Sequence, residues 1–255
     1  MSLSIQYCSD LHLEMELNRK WINKYPLEVK GEILLLGGDI VPFAELEQHN
    51  YFLDYVSAHY KAVYWVPGNH EYYHSAIDER SGTMHEAVRE NVYLVNNTTI
   101  TIGDTDLICS TLWSHISPAN EREISRAMND FKLIECGGSR FSVSAYNQLH
   151  LKSRQYLAKA IEDSTARHKV VLTHHVPTFM NYPPKYKGDA LNEAFATEMH
   201  EYIAATGVDS WIYGHTHYNT PDFKIGNTRI LTNQLGYVRY GEHSTFDKAR
   251  IIVIQ

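Results

Sequence analysis

Cysteine is scarce, with only Cys8, Cys109 and Cys136 in 255 residues. An odd count without metal-like or redox spacing excludes a disulfide framework and a thiolate metal site. Cys8 and Cys109 lie in apolar runs and read as small core residues. No stretch of 18 apolar residues exists, and the amino terminus has no basic segment followed by an apolar core and a cleavage site, so a reducing cytoplasm and no membrane are expected. No block of lysine or arginine occurs, and the net charge is −7. Wrapping long nucleic acid relies on clustered basic residues, so the expected partner is a small molecule. Repeats and low-complexity stretches are absent as well. Glycine (14), proline (8) and a charged fraction of 21% do not describe a disordered chain. A length of 255 residues can bury a large core alone, so residues 1–255 read as a single domain. Oligomeric state is not legible.

What the chain has in excess is histidine, fifteen in all, and six of them fall in short polar clusters that follow apolar runs. The clusters are Asp10-Leu11-His12, Gly37-Gly38-Asp39, Gly68-Asn69-His70-Glu71, His174-His175 and Gly214-His215-Thr216-His217. The runs before them, at 4–8, 32–36, 62–66, 169–173 and 209–213, are short and rich in β-branched or aromatic residues, as buried strands are. In layered α/β folds the loops at the carboxyl ends of strands carry ligand and catalytic groups, so these five loops are expected to meet at one site. Gly37, Gly38, Gly68 and Gly214 stand where a strand must turn and bring its backbone close to a ligand. Asp10, His12, Asp39, Asn69, His174, His215 and His217 offer carboxylates, an amide oxygen and four imidazoles. This mixed nitrogen and oxygen set suits two transition metal ions, divalent or mixed-valence manganese, iron or zinc, rather than calcium.

Between the clusters, helical spacing is read at 45–59, 76–90, 145–161 and 194–205. Residues 13–30 read as an irregular excursion packed by Trp21, Tyr25 and Leu27. Three strand-like pieces at 92–95, 98–102 and 105–109 suggest an antiparallel continuation into a second sheet, and 223–225, 228–232 and 251–254 read as a hairpin and a final strand. The expected fold is α/β, two central mixed β-sheets flanked by helices. Residues 111–141, with Trp113, His115, Arg122, Asn129 and Asp130, read either as a substrate-capping insertion or as a solvated one. The aromatic and basic run Tyr182 to Lys187 would suit a nucleoside or aryl phosphoester, or would pack a loop down.

In order and content the five clusters, spanning residues 10 to 217, resemble the calcineurin-like metallophosphoesterase superfamily, with its Asp-x-His, Gly-Asp, Gly-Asn-His, His and Gly-His-x-His pattern. The resemblance implies a four-layer sandwich. It implies that Asp10, His12 and His217 hold one metal, that Asn69, His174 and His215 hold the other, and that Asp39 bridges them. Two departures stand out: Glu71 occupies a position usually held by aspartate, and no tyrosine follows Asp39 at three residues, so an iron-tyrosinate centre is not indicated. His70 is outside the ligand count and is expected to be a general acid or transition-state stabiliser, oriented by Glu71 or Asp39, or else a structural group. His175, next to a ligand in an extended segment, reads equally as substrate-facing or structural. The implied reaction is phosphoester hydrolysis by a hydroxide bridging two metals. A phosphodiesterase on a small or nucleotide-like substrate is favoured by Asp-Leu-His, with phosphomonoesterase and non-catalytic scaffold as alternatives.

Overall fold

A computed structural model describes residues 2–255. Its strands, in chain order, are β1 (Leu3–Cys8), β2 (Ile33–Leu36), β3 (Ala62–Trp65), β4 (Met84–Arg89), β5 (Val92–Asn96), β6 (Thr98–Ile102), β7 (Thr105–Ser110), β8 (Glu135–Cys136), β9 (Ser139–Arg140), β10 (His168–Thr173), β11 (Ser210–Tyr213), β12 (Phe223–Ile225), β13 (Thr228–Thr232) and β14 (Ile251–Ile254). The helices are α1 (Glu16–Lys24), α2 (Asn50–His59), α3 (Glu121–Ala127), α4 (Asp130–Leu133), α5 (Val143–Asp163) and α6 (His200–Ala205).

Two six-stranded sheets form, in the orders β14-β1-β2-β3-β5-β4 and β12-β13-β11-β10-β7-β6, while β8 and β9 make a separate hairpin. Each sheet has four parallel strands in its middle and one antiparallel strand at each edge. The middle strands are apolar on both faces because both faces are covered. Side chains alternate accordingly. Ile5, Tyr7 and Leu35 of the first sheet meet Leu107, Leu172 and Ile212 of the second in the layer between the sheets. Leu34 and Leu36 point the other way, toward Ile22 of α1 and Phe52, Leu53 and Val56 of α2. On the far face of the second sheet, Val171 and Trp211 pack with Leu157 and Ile161 of α5 and Ile203 of α6. Helices, sheet, sheet and helices make four layers, as expected. Among the described residues no helix is long and apolar enough to cross a membrane.

Several local expectations are corrected. Residues 76–90 are not a helix: a single 3-10 turn at Ile77–Glu79 leads into β4, which pairs antiparallel with β5 at the sheet edge. Residues there that fit helical spacing are satisfied by a ladder the local pattern does not encode. The segment 13–30 is not irregular throughout, since α1 fills its middle, with Ile22 buried and Trp21 half-buried against the core. The pieces 92–95, 98–102 and 105–109 are not one antiparallel set. β5 joins the first sheet in parallel with β3, and only β6 and β7 pair as a hairpin in the second. The chain changes sheets at Asn97, at φ 45°, whose side-chain oxygen accepts from Ser110 Oγ at 2.8 Å. The helix read at 194–205 is confined to α6, preceded by a 3-10 turn at Ala190–Ala194, and that at 45–59 divides into a 3-10 turn at Phe43–His49 and α2.

Residues 111–141 are anchored rather than solvated. Trp113, Ile124, Phe131 and Phe141 are all buried in the core, and the Trp113, Phe131 and Phe141 rings pack with Tyr146 of α5 at centroid distances of 5.1 to 6.1 Å.

Leu35 is fully buried between the two sheets. Leu35→Ala should lower unfolding stability by about 2–5 kcal/mol, the usual cost of such a truncation, read from urea unfolding; a loss under about 1 kcal/mol would mean that the inter-sheet layer is loosely packed.

Candidate metal centre

The loops leaving β1, β2, β3, β10 and β11 converge, and the backbone is strained where they do. Asp10, His12, Asp39, His215 and His217 have φ of 56°, 46°, 55°, 79° and 52°. A non-glycine residue in the left-handed region costs on the order of 1–3 kcal/mol and persists only where its surroundings over-determine it. Here they do: Asp10 N donates to Gly38 O and His12 N to Asp39 O, both at 2.9 Å, Gly214 N donates to His174 O at 3.0 Å, and His215 N to Asp10 Oδ1 at 3.0 Å. Gly68 leaves the room required, since a Cβ there would collide with Asp39 Oδ1 and the His174 ring.

The expected ligands come together as two groups sharing Asp39. Asp10, His12, Asp39 and His217 form one cluster of converging donor atoms, and Asp39, His174 and His215 form the other. Asn69 Oδ1 lies 3.3 Å from His174 Nε2 and so belongs to the second. Asp39 Oδ2 is 3.8 Å from His12 Nε2 and Asp39 Oδ1 is 3.4 Å from His174 Nε2, so one carboxylate presents one oxygen to each group.

Whether cations fit here is decided by the imidazole nitrogens. His12 Nδ1 is paired with Glu14 Oε1 at 3.1 Å, and His217 Nδ1 with Glu242 Oε2 at 2.9 Å. Each carboxylate fixes a proton on Nδ1, which leaves a lone pair on Nε2. Those two Nε2 atoms face each other at 2.9 Å. Burial and the neighbouring His70 charge lower the pKa of His12, which keeps it neutral. In the second group, His174 Nδ1 meets Gly37 O at 2.8 Å and His215 Nε2 meets Ala194 O at 3.3 Å, so His174 Nε2 and His215 Nδ1 face each other at 3.0 Å. Lone pairs aimed at one another repel unless a positive charge lies between them. The field has the matching sign: burial opposes protonation, yet the Asp39 charge pushes both His174 and His70 up to about 9, so without a metal a proton on His174 would occupy the place a cation could take. Two cations suit this donor set.

His70 lines the cleft beside the cluster. Neither Glu71 nor Asp39, the two expected partners, bonds to the His70 ring. His70 Nδ1 pairs with Glu14 Oε1 at 3.2 Å, its backbone N donates to Asp39 Oδ1 at 3.0 Å, and the Tyr73 ring lies against it, tilted by 33° with centroids 4.2 Å apart. Glu71 is turned inward instead, accepting from Asp39 N (2.8 Å), Ile40 N (2.7 Å), Gly68 N (2.6 Å) and Trp65 Nε1 (3.0 Å). It ties the Asp39 loop to the Asn69 loop. Burial and the Asp39 charge push its carboxyl up to about 7. His175 is fully buried, with its ring nitrogens at the Tyr146 hydroxyl and Thr111 O, and it does not line the cleft.

Three supporting residues, Glu14, Glu242 and Gln234, escaped the sequence reading, and a fourth, Asp130, was singled out there only as part of the 111–141 insertion. Glu14 serves His12 and His70 together, and Glu242 holds His217. Asp130 Oδ1 accepts from Asn69 Nδ2 and from Tyr73 OH, each at 2.8 Å, which turns the Asn69 amide oxygen toward His174. Gln234 Oε1 accepts from His217 N at 2.6 Å. Only Glu14, two residues past His12, had a local signal. Asp130 comes from the 111–141 segment, whose Ala127, Met128 and Asn129 wall one side of the cleft.

Comparison with known proteins agrees with this geometry. The family described as calcineurin-like phosphoesterase matches residues 3–219. The chain is 33% identical over 261 residues to "Uncharacterized protein L509" of Acanthamoeba polyphaga mimivirus, covering 91% of each. Among solved structures, the phosphopantetheinyl hydrolase PptH of Mycobacterium tuberculosis superposes with a TM-score of 0.69 at 15% identity, covering 98% of this chain and 95% of that one, a likeness of fold.

Glu242 contacts the first group alone. Glu242→Ala should weaken binding of one manganese ion by about 10- to 100-fold, as loss of a partner behind a ligand does, and leave the second ion's affinity unchanged in a calorimetric titration. Equal weakening of both ions would show that the two groups are not separately supported.

Proposed function

The chain belongs to the calcineurin-like phosphoesterase family and is a metal-dependent phosphoester hydrolase, and from that premise we propose that it cleaves a phosphodiester, on a small or nucleotide-like molecule. The supporting observation is the charge inventory of the cleft. Among the described residues, its lining includes the carboxylates Asp39 and Glu242 and neutral Asn69, Asn129, Thr216 and Tyr237, but no lysine or arginine. A phosphomonoester brings two negative charges, a diester one. A wall whose carboxylates face one protonated imidazole, His70, and no lysine or arginine favours the lower charge. Asp-Leu-His at positions 10 to 12 supports the same side of the family.

In this reading Asp10, His12 and His217 would hold one cation, Asn69, His174 and His215 the other, and Asp39 both. When bound, the pair supplies an activated water and charge to neutralise the nonbridging phosphoryl oxygens. Manganese, iron and zinc all suit a nitrogen and oxygen donor set without thiolate. Asp39 keeps the two groups at a common spacing, and Glu71 keeps the Asp39 and Asn69 loops in register. His70, fixed through Nδ1 by Glu14, has Nε2 left to donate a proton to the departing alkoxide. The three free cysteines support a reducing, cytoplasmic setting.

Assays with manganese on bis-p-nitrophenyl phosphate and p-nitrophenyl phosphate test the substrate class. The diester should be turned over with at least about tenfold higher kcat/KM, about 1.4 kcal/mol of discrimination. A faster monoester would make the protein a phosphomonoesterase, and inactivity on both with every metal would make it a scaffold that keeps its ligands. His70→Ala should leave metal stoichiometry intact and slow an alkyl or nucleoside ester by about 10²–10⁴-fold, with a smaller loss for p-nitrophenolate, which leaves without a proton. An equal loss on both substrates would contradict leaving-group protonation.

A further inference from the structure

A second, smaller cavity adjoins the cleft, and the two share Tyr186, Phe195 and Thr216. Its remaining walls include Tyr182, Asp189 and Asn192. The run from Tyr182 to Lys187 stood out in the sequence for its aromatic character, and nothing in the metal centre uses it. Part of that run turns out to face this cavity. Phe195 joins the two spaces: its ring stacks on the His215 imidazole at 4.4 Å with 28° between planes, and the same ring lines the cavity. Phe195 and Thr216 thus set this cavity beside His215, a candidate ligand of the second metal group.

We propose that this cavity is a substituent subsite that receives a planar aromatic ring of the substrate, an inference that rests on the phosphodiester reading and names part of the substrate it acts on. The shape and chemistry fit one ring. The cavity volume is about 280 Å³ for the cleft and about 100 Å³ for the side cavity. The side cavity is smaller than the ~150 Å³ closed cavity that accepts benzene, but it shares Tyr186, Phe195 and Thr216 with the cleft, so a ring would lie across the boundary of the two spaces, partly in each. The Tyr182 and Tyr186 rings are tilted by 54° with centroids 6.4 Å apart, which offers edge and face contacts rather than a slot between parallel plates. The walls are also held in place. Asn192 Nδ2 donates to Tyr186 O at 2.6 Å, Asp189 Oδ1 accepts from Leu191 N at 2.9 Å, and Phe195 N donates to Asn192 O at 3.0 Å. A prearranged aromatic wall gives up little freedom when a ring arrives.

Planar rings of two origins fit this chemistry, a nucleobase and a simple aryl group. Calorimetric titration of manganese-loaded protein with three monoanionic methylphosphonate esters, of adenosine, phenol and ribose, separates them at the charge of a diester. The ring-bearing esters should bind on the order of tenfold more tightly than the ribosyl ester, the usual scale of base stacking on an aromatic side chain. A gain for adenosine and phenol alike assigns the subsite to any aryl ring, and a gain for adenosine alone assigns it to a nucleobase. Tyr182→Ala should remove most of the gain while the ribosyl ester keeps its Kd. Tyr186→Ala, on a 3-10 turn with its side chain partly in solvent, should reduce the gain even if Tyr182→Ala folds poorly. Equal binding of the three esters by the unaltered protein, or a ring preference that survives in both variants, would overturn the subsite. Hydrolysis of bis-p-nitrophenyl phosphate is measured separately. Its absence alongside a ring preference would fell the diesterase reading and leave the subsite standing, and the converse result would do the reverse.

Discussion

Everything at the centre of this protein follows from one buried carboxylate, Asp39, that faces two sets of imidazoles at once. Its two oxygens lie 3.8 Å from His12 Nε2 and 3.4 Å from His174 Nε2. Around it, ring nitrogens oppose each other in pairs at 2.9 and 3.0 Å, with their far sides already committed to Glu14, Glu242, Gly37 and Ala194. Such an arrangement is costly for a polypeptide alone, because desolvated lone pairs are turned toward one another. Positive charge makes it favourable, and the left-handed backbone at five of the candidate residues is part of what is spent to build it.

The fold exists to hold those loops still. Parallel strands in both sheets end at the same cleft, and the alternation that sends Leu35 inward and Leu34 and Leu36 outward gives each sheet two packed faces. Rigid strands fix where each loop begins, but the loops are then joined to one another directly. Glu71 is the clearest case, with one carboxylate collecting donors from the Asp39 loop, the Gly68 turn and Trp65. The departure from the family's usual aspartate therefore falls on a residue that braces the loops rather than on one that orients His70.

Much of the centre was legible in the sequence because its signals are local: a strand-like run, a glycine that clears space, then a ligand residue. Asp10, His12, Asp39, Asn69, His174, His215 and His217 all follow strand-like runs, with a glycine before the ligand in three of the five clusters, and the structure gathers them into two groups. The supporting shell was not legible, since Glu242 is 25 residues from His217 and Asp130 is 61 from Asn69, and no spacing rule links such pairs. Strand identity failed for the same reason at 84–89, where pairing with β5 outweighs a pattern compatible with a helix. The 111–141 segment read equally as a capping or a solvated insertion because its core residues are spread among charged ones; Trp113, Phe131 and Phe141 find each other only in three dimensions.

X-ray absorption fine structure of the manganese-loaded protein tests the shared-carboxylate account most directly. Two cations held by one carboxylate should give a metal-metal vector at about 3.5–4 Å, with a first shell of nitrogen and oxygen only. A well-fitted first shell with no metal-metal vector at full occupancy, or a shell containing sulfur, would contradict it.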